Sequence, residues 1–467
     1  MEKEVPKGWV ETTLGESFKI ERGGSPRPIE NYITENDNGI NWIKIGDTKN
    51  VNKYIHRTKE KIKPEGLKKS RMVYEDDFIL SNSMSFGRPY IMKTNGCIHD
   101  GWLVIRKNEY VDNNFLYYLL TSNLVYRQFS ELAKGSTVKN LNIQAVQKVK
   151  INIPPISVQL QIGKKLDQIF SNLEIAKKGL EKIPVLLKQF RQAVLTQAVT
   201  GKLTEEWRKG KEFYKFDIIE IEKLRRELKS EFSEKQGKKA FNYKNSIDIK
   251  FGENTKGIDL IFDLPVKWQW VTLDRVTWNV SDGPHFSPKY VSENEGKRFI
   301  SMRNISTKGI EFNDCKYVSL SDHSEFIKRG MPEKGDILYT KGGSTGIPCV
   351  VNDDKDFSYW VHVALIKPIR QVIDSFFLKY SLESQLCYKQ SQAFTHGVGN
   401  QDLGLTRMIN ICFPLPPIEE QTEIVRRVEA LFSKADAIEA QYKVLKEKID
   451  DLPKAVLAKA FRGELTK

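Results

Sequence analysis

Residues 153–203, IPPISVQLQIGKKLDQIFSNLEIAKKGLEKIPVLLKQFRQAVLTQAVTGKL, place apolar side chains at alternating steps of four and three. The series runs Ile162, Leu166, Ile169, Leu173, Ala176, Leu180, Ile183, Leu187, Phe190 and Val194. That spacing is the seam of a coiled coil. The seam returns as Ile424, Val428, Leu431, Ala435, Ile438, Tyr442, Leu445, Ile449, Leu452 and Val456, each standing 262 positions after its counterpart. The chain is two copies of one design.

The two copies align without a gap from Ile153-Pro154-Pro155-Ile156 over Leu415-Pro416-Pro417-Ile418 to Gly201-Lys202-Leu203 over Gly463-Glu464-Leu465. Gln159 falls over Gln421, Phe170 over Phe432, and Ala193-Val194-Leu195 over Ala455-Val456-Leu457. Proline suits a first helical turn, where the missing N–H has no partner anyway, and glycine suits the left-handed position past a helix end. The proline pairs therefore predict two helix starts, and Gly201 and Gly463 predict two stops. Pro184 and Pro453 lie within the heptad phase, which predicts kinks rather than breaks. An apolar seam needs cover, and the nearest cover is the other copy, met antiparallel when the chain folds back.

The repeat extends into the segments that precede each helix. Trp9 falls over Trp268 and Leu14 over Leu273, and Asp77 to Ser81 over Asp336 to Thr340, all at an offset of 259, with Gly87 over Gly346 and Pro89 over Pro348. Short β-rich runs such as Trp42-Ile43-Lys44-Ile45 and Arg298-Phe299-Ile300-Ser301-Met302 alternate with Gly, Asn and Asp turns. One helix is predicted near Asn114 to Gln128, its equivalent near Phe376 to Gln390, and a loop Gly135 to Leu141 corresponds to Gly397 to Leu403. The reading is an α+β chain: two repeated mixed α/β domains joined by two long helices in an antiparallel, pseudo-twofold coiled coil. Its divisions are residues 1–152, 153–203, 204–262, 263–413 and 414–467. Within the third, Phe216 to Phe232 has the composition of a surface helix, and residues 233–256, with Lys235, Lys238, Lys239 and Lys244, read as a basic linker, more a solvated connector than a contact to DNA phosphates.

Composition excludes several classes of protein. The 467 residues carry 74 Lys+Arg against 60 Asp+Glu, net +14, which favours a polyanionic partner. The five cysteines, Cys97, Cys315, Cys349, Cys387 and Cys412, contain no CxxC pair, so neither a zinc ribbon nor a disulfide framework is indicated. The opening Met1-Glu2-Lys3-Glu4-Val5-Pro6 has no apolar leader core, and no run reaches the length of a membrane span, which predicts a cytoplasmic protein.

A search for chemistry finds no catalytic set. Asn152-Ile153-Pro154-Pro155-Ile156 is superficially like the Asn-Pro-Pro-aromatic motif of amino-methyltransferases, but an isoleucine interrupts it and the aromatic is missing. Lys341-Gly342-Gly343-Ser344-Thr345-Gly346 has the glycines of a phosphate loop without its spacing or terminal lysine, leaving a tight turn. No GxGxxG follows a strand. His56, His99, His285, His323, His362 and His396 lack metal-ligand spacing, and no metal site is predicted.

This layout resembles the specificity subunit of type I restriction-modification systems. The resemblance covers nearly the whole chain and rests on Pro154-Pro155-Ile156 through Leu203, on Pro416-Pro417-Ile418-Glu419-Glu420-Gln421 through Leu465, and on Thr204-Glu205-Glu206-Trp207-Arg208. It implies a non-catalytic DNA reader in which each globular domain recognises one half of a bipartite asymmetric site. The paired helices would space the domains and dock two modification subunits. Those partners would carry S-adenosylmethionine and methylate adenine N6, and two translocase-nuclease subunits using ATP and Mg would join for restriction. Independently, Ile162 to Val194 as a helix would span about 50 Å at ~1.5 Å per residue, or about 15 base pairs at ~3.4 Å per step.

Arginine matches guanine O6/N7 and Asn or Gln matches adenine N6/N7, so polar residues in the domain loops are the DNA-binding candidates. In the first domain they are Arg22, Arg27, Asn82, Arg88, His99, Lys139 and Asn140. In the second, where Asp282 also stands, they are His285, Lys289, Lys341, Thr345, His362, Asn400 and Gln401. The different chemistry of the two sets predicts unlike half-sites. Three rival readings are a methylation-only system without a nuclease, a fused enzyme, which needs a methyl-donor loop that is absent, and a bare scaffold, which leaves two repeated basic domains unexplained.

Overall fold

The computed structural model describes residues 5–82, 86–132, 141–235, 262–397 and 402–466. The chain divides into two compact units, one of residues 1–182 with 441–467, the other of residues 183–440.

In the first unit a five-stranded sheet runs in the order Ile20–Arg22, Trp102–Ile105, Phe78–Ser81, Pro89–Met92, Tyr54–Ile55. Phe78–Ser81 and Trp102–Ile105 are buried at every position. Both faces of these strands are covered, which is why they read as unbroken apolar runs rather than as an alternation. Phe78, Leu80, Leu103 and Ile105 pack toward the helices, while Ile79, Trp102 and Val104 pack with Ile43, Val73 and Ile98 of a second five-stranded sheet. A separate antiparallel ladder pairs Val10–Thr13 with Lys150–Ile153, bringing the start of the domain beside the chain that leads into the long helix.

The second unit repeats this plan. Its larger sheet runs Thr277–Asp282, Val363–Pro368, Ile337–Thr340, Pro348–Val350. The smaller one holds a parallel pair, Gly296–Ile300 with Phe357–Tyr359, as the first unit does with Ile40–Ile43 and Gly96–Ile98. Gln269–Thr272 pairs antiparallel with Cys412–Leu415. The single helix predicted in each domain is instead two, Asn113–Thr121 with Asn123–Leu132 and Ser375–Glu383 with Gln385–Phe394. The break falls at Ser122 and Ser384, whose buried hydroxyls donate to the carbonyls of Leu119 and Ser381, both at 2.6 Å, ending one helix as the next begins.

The long helices are Ile156–Leu180, Ile183–Val199 and Ile418–Ala460. Pro453 lies inside the last one, as expected, but Pro184 ends a helix rather than kinking it. Proline has no N–H for the carbonyl of Leu180 and its ring crowds that oxygen, so the helix stops at Leu180 and restarts with Pro184 in a first turn. Gly201 and Gly463 take the left-handed conformation, φ 76° and 71°. Each unit pairs helices antiparallel. In the first, Lys165 reaches Leu465 and Lys177 reaches Asp450. In the second, Arg191 reaches Asp436, and Arg427 donates to the carbonyl of Leu203. In both, the partner's number falls as the first residue's number rises.

The seam is only partly sealed. Ile162, Leu166, Leu173, Leu180, Val194, Ile424, Val428 and Ala435 are buried, whereas Phe190, Ile438, Leu445 and Leu452 are exposed. Ile169, Leu187 and Leu431 are half-buried. Two helices bury only their line of contact, and of the buried seam residues the domain cores take in Ile162 and Leu166 in the first unit and Val194, Ile424 and Val428 in the second. The helix expected in the connecting segment is Ile218–Lys235, and it is not a free surface helix. Ile221 and Arg225 are buried, Arg225 pairs with Asp274, and Leu224 and Leu228 pack on the second domain's core. Of the expected basic linker 233–256, Ser233 to Lys235 belong to this helix instead, and residues 236–256 lie outside the described residues.

Candidate nucleic-acid interface

Sheet register decides which loops meet. In the first domain Arg22 pairs with Leu103, Trp102 with Ser81, and Leu80 with Pro89. The loops after Arg22, before Trp102 and between Ser81 and Pro89 therefore share one end of the sheet. In the second, Asp282 pairs with Ala364, Val363 with Thr340, and Tyr339 with Pro348, which gathers residues 283–289, 360–362 and 341–347 at the same end. The N–H of Leu141 donates to the carbonyl of Asn82 at 2.9 Å and that of Leu403 to the carbonyl of Lys341 at 2.8 Å, so Leu141 and Leu403 lie at the same ends. The candidates Lys139, Asn140, Asn400 and Gln401 lie outside the described residues.

In the first domain the organiser is a residue that the sequence reading missed. Asp100 accepts from Ser25 at 2.7 Å and pairs with Arg27 at 3.5 Å, and its backbone carbonyl takes Arg22 Nε at 3.4 Å and Asn82 Nδ2 at 2.9 Å. The Ser25 hydroxyl, helped by its own backbone N–H and by Arg27, holds its carboxyl below the ordinary range. Arg22 and Arg27 are exposed cations, while Asn82 is buried and shapes the turn. Arg88 is exposed, donates to the carbonyl of Val51 at 3.1 Å and lies over the Tyr90 ring. His99 faces inward, its Nε2 3.1 Å from Ile45 N and its Nδ1 2.7 Å from Gly101 N. Burial pushes its pKa below the ordinary histidine value, and its ring packs against the turn.

In the second domain the organiser is Asp282. One carboxylate oxygen lies 3.3 Å from His285 Nε2 and 3.3 Å from Arg329 Nη1, the other 3.4 Å from Lys341 Nζ. Lys341 is buried, with Asp402 as its second partner at 3.2 Å. His285 and Lys289 are exposed. Thr345 is buried and held by Gln392, Nε2 to Oγ1 3.1 Å. His362 stands edge-on to Trp360 with ring centres 5.0 Å apart. A Cβ on Gly342 would come within 2.1 Å of His362 Nδ1, so the glycines of this turn admit a close-packed imidazole rather than a phosphate. Arg329 stands 47 residues beyond Asp282, and only the fold brings it in.

The candidates thus divide into exposed side chains and inward-facing shapers. Arg22, Arg27, Arg88, His285 and Lys289 can approach a ligand, and Asn82, His99, Lys341 and Thr345 fix the loops beneath them. Such a surface suits a polyanion, with unlike donors in the two domains. Among the described residues no His, Cys, Asp and Glu group could hold a metal ion, and no helix is long and apolar enough to cross a membrane.

A profile of the family described as the type I restriction modification DNA specificity domain matches residues 6–185 and again 265–447. The chain is 27% identical over 468 residues to the type I restriction enzyme EcoBI specificity subunit of Escherichia coli, covering 99% of this chain and 87% of that protein. It is 30% identical over 370 residues to the EcoDI specificity subunit of the same species, covering 76% of this chain and 71% of the other. Among solved structures, the HsdS subunit from Thermoanaerobacter tengcongensis has the same fold, with a TM-score of 0.65 at 18% identity over 99% of each chain.

Proposed function

The chain belongs to the family of type I restriction-modification DNA specificity subunits, and from that membership we propose that it reads a two-part, asymmetric DNA target for a complex whose other subunits react. Each domain reads one half. The observation that carries this is the gathering of three loops at one sheet end in both units, with Arg22, Arg27 and Arg88 displayed in one and His285, Lys289 and Arg329 in the other. Phosphate contacts from the arginines and Lys289 set the register, and contacts to base edges select the sequence.

The chain itself catalyses nothing. Two modification subunits dock along the long helices, where Ile175, Leu445 and Leu452 of the first unit and Val185, Leu186, Phe190 and Ile438 of the second are exposed apolar side chains. These partners bring S-adenosylmethionine to adenine N6, two translocase-nuclease subunits bring ATP and Mg, and the assembly works in the cytoplasm. Methylome sequencing of cells carrying the chain with its modification subunit, against cells lacking the chain, tests the reading. Two short motifs separated by an unread spacer are expected. A single contiguous motif, or robust methylation by the purified chain alone, would overturn it.

A further inference from the structure

We propose that Asp282, tied down by buried Lys341, sets the base preference of the second domain by holding Arg329 and His285 in one fixed array of donors. This rests on the reading that the second domain contacts one half of a DNA target.

Asp282 is the last residue of the strand Thr277–Asp282, and its pairing with Ala364 anchors its backbone where the loops meet. Its side chain is 6% exposed, those of Arg329 and His285 are 60% and 64% exposed. A bare carboxylate at a surface that faces phosphates would repel them, but this one lies beneath its cations. It takes one donor from Arg329 and leaves the other guanidinium N–H groups free to meet acceptors on a base edge. Lys341 is a different kind of partner. Its ammonium is buried between Asp282 and Asp402, so it carries little of the contact itself and ties the strand end to the neighbouring loop.

Asp282 and Asp402 face Lys341 and Arg329 here, with Arg407 also 3.9 Å from Asp402. Asp282→Asn removes one negative charge and frees the cations, giving an edge that is more positive but less ordered. Attraction for any duplex should persist or rise, because it depends on charge. Discrimination should fall, because it depends on direction. A merely structural role would lower both together.

The test uses the full chain assembled with its modification subunit, and duplexes carrying single base changes in each half of the motif found for the wild type. With Asp282→Asn, discrimination at one or more base pairs of the second domain's half-site is expected to fall tenfold or more. Affinity for unrelated duplex is expected to be equal or higher, and the first domain's half-site to be read as before. Unchanged discrimination overturns the inference, as does an equal loss of affinity and discrimination. Should Asp282→Asn fail to assemble, Arg329→Gln and His285→Ala carry the test, since both side chains are exposed: the same half-site must relax, and if it does not the inference fails. A wild-type complex with no two-part motif overturns the functional reading and this inference with it. A two-part motif indifferent to Asp282→Asn overturns the inference alone.

Discussion

Gln159 and Gln421 make the same three hydrogen bonds at corresponding places in the two repeats. Gln159 accepts from Asp112 N at 2.8 Å and donates to the carbonyls of Tyr110 at 3.2 Å and Pro154 at 2.8 Å. Gln421 accepts from Asp374 N at 2.8 Å and donates to the carbonyls of Val372 at 3.0 Å and Pro416 at 2.9 Å. Asp112 and Asp374 are themselves the N-caps of the helices Asn113–Thr121 and Ser375–Glu383. One buried amide thus joins the first turns of a long helix to the cap of a domain helix. Replacing it by alanine leaves buried backbone groups unpaired, at about 1–3 kcal/mol each. Gln159→Ala and Gln421→Ala are each expected to lower the urea midpoint, and Gln→Glu should not rescue either, because a carboxylate cannot donate to the two carbonyls.

The second repeat has an anchor that the first lacks. Buried Glu420 accepts from Thr204 Oγ1 at 2.7 Å, Arg208 Nη1 at 2.5 Å and Trp268 Nε1 at 2.8 Å, while its counterpart in the first repeat is Val158. Glu420→Ala leaves a largely buried guanidinium unpaired and is expected to cost about 3–5 kcal/mol. Glu420→Val copies the first repeat and should be as harmful alone. Combined with Arg208→Leu it should recover part of the loss, a non-additivity that a double-mutant cycle by urea denaturation would measure.

Acid sensitivity should concentrate at Glu423. Its carboxylate accepts from Arg426 Nε at 2.7 Å and Arg427 Nε at 2.6 Å, and Arg427 reaches on to the carbonyl of Leu203 at 2.8 Å. Arg426 first, then Arg427, hold its pKa down at about 2, below the ordinary 4.5. A depressed carboxylate contributes fully above its unfolded value and loses that contribution as pH falls through its folded value. The Tm gap between wild type and Glu423→Gln is therefore expected to be constant from neutral pH to about 5 and to close between about 4.5 and 2. A gap that stays level across that window would refute the assignment.

Exposed seam residues should matter for assembly and not for folding. Ile438 is 49% exposed and Leu445 45%. Ile438→Glu and Leu445→Glu are expected to change stability by less than about 0.5 kcal/mol. Both should reduce recovery of the modification subunit when the complex is co-purified. A large fall in Tm, or unimpaired recovery, would show that these side chains serve another purpose.

The heptad spacing made the antiparallel helices legible, because a periodic seam needs a periodic partner and the same phase recurs 262 residues on. The double domain was legible through Trp9 and Trp268 and the runs Asp77 to Ser81 and Asp336 to Thr340. Pro184 was misjudged because heptad phase reports where side chains face and not whether the backbone stays hydrogen-bonded. The breaks at Ser122 and Ser384 were hidden for a similar reason, since the apolar pattern continues across them. At the candidate interface the loops were legible and Asp282 was named among them, but its organising role, Asp100 and Arg329 were not. Asp100 and Arg329 take their meaning from partners 75 and 47 residues away in the chain, Ser25 and Asp282, and periodicity carries no signal over such distances.

Leu457, Ala460 and Phe461 belong to the core of the N-terminal domain, alongside Phe115 and Ile162. During synthesis that domain leaves the ribosome first yet lacks these side chains until residue 461 has been translated. The second domain waits for less, because Val194, Leu195 and Ala198 in its core are made before it. A premature stop a short way into the last helix would therefore injure the opposite end of the polypeptide, so a prematurely terminated chain would lack a sound first reader.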